Sequence, residues 1–237
     1  MPWYYAVAER DHDLQNPTSP EKIRRLGELL RLGPESQVLD VACGTGGPAM
    51  LLAATFGCHI VGVERAPDFV AWGRERIEAA GLSDRVEIVE GDASAYPLEP
   101  EAWDVALCLG ATFVFADLAG TVAALMPTVK PGGFLAVGEP FWKEWPLPRE
   151  VDDEGYVPLE ETVERFTARG LALTGLIASS VDDWDNYESL RWRAVEEYLA
   201  EHDDAEIRER HERTRANYLR WERKLFDWAI FVGRRPG

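Results

Sequence analysis

Residues 38 to 53, VLDVACGTGGPAMLLA, constrain this chain more than any other stretch. Val38, Leu39 and Val41 around Asp40 read as a buried strand, and Ala49 to Ala53 as an apolar helix face. Between them, Cys43-Gly44-Thr45-Gly46-Gly47-Pro48 is a glycine turn. Such a turn lets a ligand touch the backbone, because a Cβ at Gly44 or Gly46 would block either a positive φ or the close approach. Pro48 suits the first helical position, where its missing N–H costs nothing.

Glycine spacing alone fits two cofactors. Gly44, Gly46 and Ala49 satisfy the G-x-G-x-x-G/A dinucleotide pattern, with Glu64 near the distance expected of a ribose-binding acid. Asp40 at the strand end, the D-x-x-C-G-T-G order, Asp92, Asp104 and Pro131-Gly132-Gly133 tip the balance. Together they resemble the class I S-adenosylmethionine (SAM)-dependent methyltransferases over roughly residues 20 to 140. The resemblance implies a Rossmann-like, doubly wound α/β sheet of seven strands in the order 3-2-1-4-5-7-6, the last antiparallel, and SAM as cofactor. Within the family the core and a helical insertion look most like bacterial small-molecule enzymes akin to the quinone-biosynthesis C-methyltransferases. The third glycine of the common pattern is Pro48 here. The cofactor residues so implied are Asp40, Ala42, Gly44, Gly46, Glu64, Arg65, Asp92, Ala93 and Leu109. Of these, Glu64 would accept from both ribose hydroxyls and Asp92 would meet the adenine amine.

The chain carries 42 acidic and 25 basic residues, a net charge of −17, which repels phosphate backbones and argues against nucleic acid. A neutral or cationic small molecule is the expected acceptor. Consistently, no Asn/Asp-Pro-Pro-Tyr/Phe motif follows the fourth strand. The 237 residues suit one domain spanning 1–237. Cys43, Cys58 and Cys108 show no C-x-x-C spacing, and the first residues show no basic, secretory-type leader, so a reducing cytoplasmic setting is expected. Residues 105–126 carry only Asp117 as a charge, but Gly110 and Gly120 divide them into strand and helix, and no membrane span is expected. The four histidines are scattered, and no metal site is expected.

Residues 1–19 read as an irregular lid segment with no clear helix. Ser19-Pro20-Glu21 then opens a helix from Pro20 to about Leu32. Strands are expected at His59–Val63, Val86–Glu90, Trp103–Gly110, Phe134–Gly138, Leu171–Ser180 and Phe226–Gly233, with a turn at Lys130–Gly133. Helices are expected at Pro67–Ala80, Asp117–Pro127 and Pro158–Arg169. Residues 182–225 read as a two-helix insertion, Trp184–Glu201 and Asp204–Leu225, which either caps the acceptor or forms the face of a homodimer. Trp142, Trp184 and Tyr187 are the substrate-binding candidates, and Glu139, His12 and Tyr5 the candidate proton acceptors. Two other functions fit these features. One is a nicotinamide-dependent oxidoreductase, and the other a SAM-binding protein without turnover.

Overall fold

The computed structural model describes residues 3–237. Seven strands, β1 (Gln37–Val41), β2 (His59–Glu64), β3 (Val86–Glu90), β4 (Trp103–Leu109), β5 (Val129–Trp142), β6 (Ala172–Ala178) and β7 (Phe226–Arg234), lie in the order 3-2-1-4-5-7-6. β7 runs antiparallel to both its neighbours, and the other pairs are parallel. Side-chain alternation divides the five inner strands between two cores. In β7, Trp228, Ile230 and Val232 join the core on one face, and Ala229 and Phe231 that on the other. Helices α2 (Pro20–Leu29), α3 (Gly47–Phe56) and α4 (Pro67–Ala79) cover the first face through Ile23, Leu26, Leu52 and Ile77. On the second face, α5 (Leu118–Leu125) and α6 (Leu159–Thr167) bring Val122 and Phe166. This is the doubly wound sheet that the resemblance implies.

Local chemistry sets the helix starts. The Ser19 hydroxyl accepts from Lys22 N with Pro20 next in line, and Asp117 Oδ1 accepts from Gly120 N. Ser180 and Asp183 form a capping box at the start of α7 (Val181–Glu201). α8 (Ala205–Asn217), a π turn (Tyr218–Glu222) and a helical turn (Arg223–Leu225) complete the insertion between β6 and β7.

Two elements differ from expectation. A short helix, α1 (Tyr4–Ala8), stands where irregular chain was expected; Tyr4, Val7 and Ala8 pack on Val195 and Ile207 of the insertion. Five residues cannot hold a helix alone, so packing supplies what the sequence does not signal. β5 also starts earlier than expected and runs on to Trp142, and Lys130–Gly133 lies inside it. Gly132 takes φ +79, yet its N–H donates to Arg235 O and Gly133 O accepts from Arg235 N, so the ladder continues through the kink. Among the described residues no helix is long and apolar enough to cross a membrane.

Candidate active site

The strand order reverses between β1 and β4, and the carboxyl ends of the strands open there into a cavity of about 990 Å³. One end is lined by Asp40, Ala42, Gly44, Glu64, Arg65, Asp92, Ala93 and Leu109. Glu64 is buried; its Oε2 accepts from Gly44 N (3.0 Å) and its Oε1 from Ala66 N (2.8 Å). Each oxygen keeps a lone pair for a further donor. Asp92 Oδ1 accepts from Ser94 N and Ser94 Oγ, which holds this carboxyl below its usual range. Asp40 is 2% exposed and has no hydrogen-bond partner among the described residues. Burial, with the Glu64 charge nearby, pushes its pKa up to about 7. An unpartnered buried carboxyl is costly, and a cationic group brought against it would relieve that cost.

The N-terminal segment crosses the glycine turn as a strap. Gln15 Oε1 accepts from Thr45 N (2.8 Å), and Asn16 Nδ2 donates to Leu109 O (3.0 Å). The strap runs so close that a Cβ on Gly47 would collide with the Asp13 carbonyl. Gly46 is not on the cavity wall; it caps α3 at φ +74, and a Cβ there would face Ile88.

At the other end, Glu139 near the end of β5 is 8% exposed, and its Oε2 accepts from Thr112 Oγ1 (2.8 Å). Burial raises its pKa to about 7, against the lowering effect of that hydrogen bond. Tyr5, Tyr156, Trp184, Tyr187, Phe226 and Glu222 share this part of the wall. The Phe226 ring lies 5.4 Å from Tyr156 and 6.0 Å from Trp184, centroid to centroid.

Besides Gly46, two expected site residues lie off the cavity. His12 is 2% exposed, its Nε2 sits 3.0 Å from Tyr187 O, and burial lowers its pKa, so it is a neutral packing residue. Trp142 is 3% exposed and anchors a loop: its Nε1 donates to Asp153 O (3.1 Å) and its backbone N–H to Val157 O (3.0 Å). That loop presents Tyr156 to the cavity, a residue sequence reasoning missed along with Gln15, Thr112 and Glu222. The only sequence signal for the strap is the lid segment expected at residues 1–19. No group of three metal-ligating side chains occurs among the described residues.

A family model described as a methyltransferase domain matches residues 38–133. A SAM-dependent methyltransferase of Geobacter sulfurreducens, solved with S-adenosylhomocysteine, is 30% identical across 100% of this chain and 99% of its own, at a TM-score of 0.91. The chain belongs to the SAM-dependent methyltransferases. A second such methyltransferase, from Thiobacillus denitrificans and also solved with S-adenosylhomocysteine, is 29% identical with 98% of each chain covered and a TM-score of 0.90. The Escherichia coli protein YjhP is 30% identical over 98% of this chain and 99% of its own, at a TM-score of 0.91. Membership in this family displaces the oxidoreductase alternative. The stretch matched by the methyltransferase domain holds the Asp40 to Leu109 end of the cavity, whereas Glu139, Tyr156 and Glu222 lie beyond it.

Proposed function

We propose that this methyltransferase carries the methyl group of SAM to a small-molecule acceptor seated between Glu139 and the aromatic wall. The observation that carries this reading is continuity: one cavity joins Asp40, Glu64 and Asp92 to Glu139, Tyr156 and Glu222. The residues at the first end fit the cofactor. The unpartnered Asp40 carboxylate suits the ammonium of the methionine portion, and the spare lone pairs of Glu64 suit the ribose diol. Asp92 and the Ala93 N–H suit the adenine edge, with Arg65 beside them, while Ala42, Gly44 and Leu109 offer backbone.

When bound, SAM supplies a methyl carbon on a positively charged sulfur, open to in-line displacement as the C–S electron pair leaves with sulfur. The chain aligns the acceptor and excludes water, which supplies much of the acceleration. Glu139 takes the proton from an acceptor that loses one, oriented by the Thr112 hydroxyl. Tyr5, Trp184 and Tyr187 orient the guest.

A net charge of −17 supports a partner other than nucleic acid. The outer faces of α7 and α8 carry ion pairs such as Arg193–Asp11 (3.3 Å) and Arg215–Glu196 (2.9 Å), which favours the pocket role of the insertion over a dimer face. Three free, buried cysteines suit a reducing cytoplasm.

Calorimetric titration with SAM, S-adenosylhomocysteine and NAD tests the cofactor, with micromolar binding of the first two and none of NAD expected. Asp92→Ala should weaken S-adenosylhomocysteine about tenfold through the lost hydrogen bond. Unchanged affinity in that variant removes Asp92 from the adenine edge.

A further inference from the structure

Resting on that reading of the cavity, we propose that the acceptor carries a positively charged nitrogen group, seated between the Glu222 carboxylate and the rings of Trp184, Phe226 and Tyr156.

Glu222 closes the π turn Tyr218–Glu222, and the turn is fixed from outside by one residue of α7. The Tyr218 hydroxyl donates to Asp185 Oδ1 (2.7 Å), while Arg223 Nε and Nη2 donate to Asp185 Oδ1 and Oδ2 (2.9 Å each). Residues 218 and 223 are therefore both held, and Glu222 between them is set against the cavity. Among the described residues Glu222 makes neither a hydrogen bond nor an ion pair. Burial and the charges of Glu188 and Glu154 push its pKa up to about 7, against the lowering effect of the Arg191 charge. Aromatic faces attract the same sign of guest as a carboxylate. Tyr156, Phe226 and Trp184 form a contiguous ring surface on that wall.

Of the five arginines on the cavity wall, Arg65 stands among the cofactor residues and the other four lie against protein groups. Arg191 donates to Glu188 Oε1 (2.7 Å) with its guanidinium over the Tyr187 ring, and Arg165 pairs with Glu161 (2.8 Å). Arg213 lies 3.8 Å from Glu209, and Arg210 lies over the Tyr4 and Tyr5 rings, 4.6 and 4.9 Å from their centroids. Arg210 alone of these four has no carboxylate partner among the described residues. An anionic acceptor would seek it, so the test includes one.

Three probes of one ring and different charge decide the matter: benzyltrimethylammonium, benzyl alcohol and phenylacetate. Each is titrated by calorimetry into the protein, with and without saturating S-adenosylhomocysteine. The cation is expected to bind at least about tenfold more tightly than the other two, and Glu222→Gln to erase that preference. The variant should keep its S-adenosylhomocysteine affinity and melt no lower than the parent protein, which separates a lost anchor from a damaged fold. Phe226→Leu should weaken the cation more than the alcohol. A cation that binds no better than the alcohol, or equally well to Glu222→Gln, overturns the proposal, and tighter phenylacetate moves the site to Arg210. Failure of S-adenosylhomocysteine to bind would count against the cofactor reading alone, since the cation is also titrated in its absence.

Discussion

Asp40 and Glu139 lie at opposite ends of one cavity, each with a pKa pushed up to about 7, but their neighbours differ. Glu139 is opposed in that shift by the Thr112 hydroxyl, which donates to it and favours the charged form. For an acceptor that loses a proton, kcat/KM should therefore rise as pH passes about 7 and level off above. Thr112→Val should move the rise to higher pH, and Glu139→Gln should lower kcat by about a hundredfold or more. A profile that Thr112→Val leaves in place would remove Glu139 as the base. Asp40 has no donor to favour its charged form, so near pH 7 about half of it is protonated in the free protein. An ammonium arriving beside it favours ionisation. S-adenosylhomocysteine binding at pH 7 should then release about half a proton, read from calorimetric enthalpies in buffers of different ionisation enthalpy. Asp40→Asn should abolish the release.

At the scale of elements, the strap and the glycine turn hold each other. A Cβ at Gly47 would meet the Asp13 backbone, which cannot swing aside as a side chain can. Gly47→Ala should lift the strap, free Thr45 N from Gln15 and Leu109 O from Asn16, and weaken S-adenosylhomocysteine about tenfold. Gly33→Ala, with open space around it, should change nothing in the same titration. The turn and strands β1 to β4 were legible in the sequence because their signals are local: apolar alternation, glycine at a sharp reversal, an acid at a strand end. Glu64 and Asp92 could be found that way. Thr112, Tyr156 and Glu222 could not, because distant contacts bring them to the wall. Thr112 meets Glu139 across 27 positions, Trp142 pins the loop of Tyr156 through Asp153, and Asp185 grips the turn of Glu222 from 33 positions away. His12 and Trp142 misled for the converse reason. Their chemistry suits a site, but the fold buries both as packing residues and anchors.

For the whole molecule, the shifted carboxyls and histidines decide how stability depends on pH. Asp183, Asp185 and Glu196 have pKa values lowered in the fold; their stabilisation is present above the unfolded pKa and lost as pH falls. His12 and His211 are also lowered, so the unfolded chain takes up their protons below its value of 6.5 and stability declines on that side too. Asp40, Glu139 and Glu222 act in the opposite sense. Their folded values of about 7 exceed the unfolded ones, so the folded chain keeps protons that the unfolded chain has released. Their contribution is whole below the unfolded pKa and is lost as pH rises through about 7. Between pH 6.5 and 8, Asp40 and Glu139 should each remove roughly 1 kcal/mol. Urea midpoints across that range should fall, and Glu139→Gln should flatten the limb. Added salt should raise every midpoint by screening the net charge of −17, yet leave the slope, because the groups that set it are shielded from solvent. Saturating S-adenosylhomocysteine should flatten the limb by the share of Asp40 alone, since an ammonium beside that carboxyl lowers its folded pKa toward the unfolded value. The slope remaining then belongs to Glu139 and Glu222, so one series of midpoints separates the cofactor end of the cavity from the acceptor end.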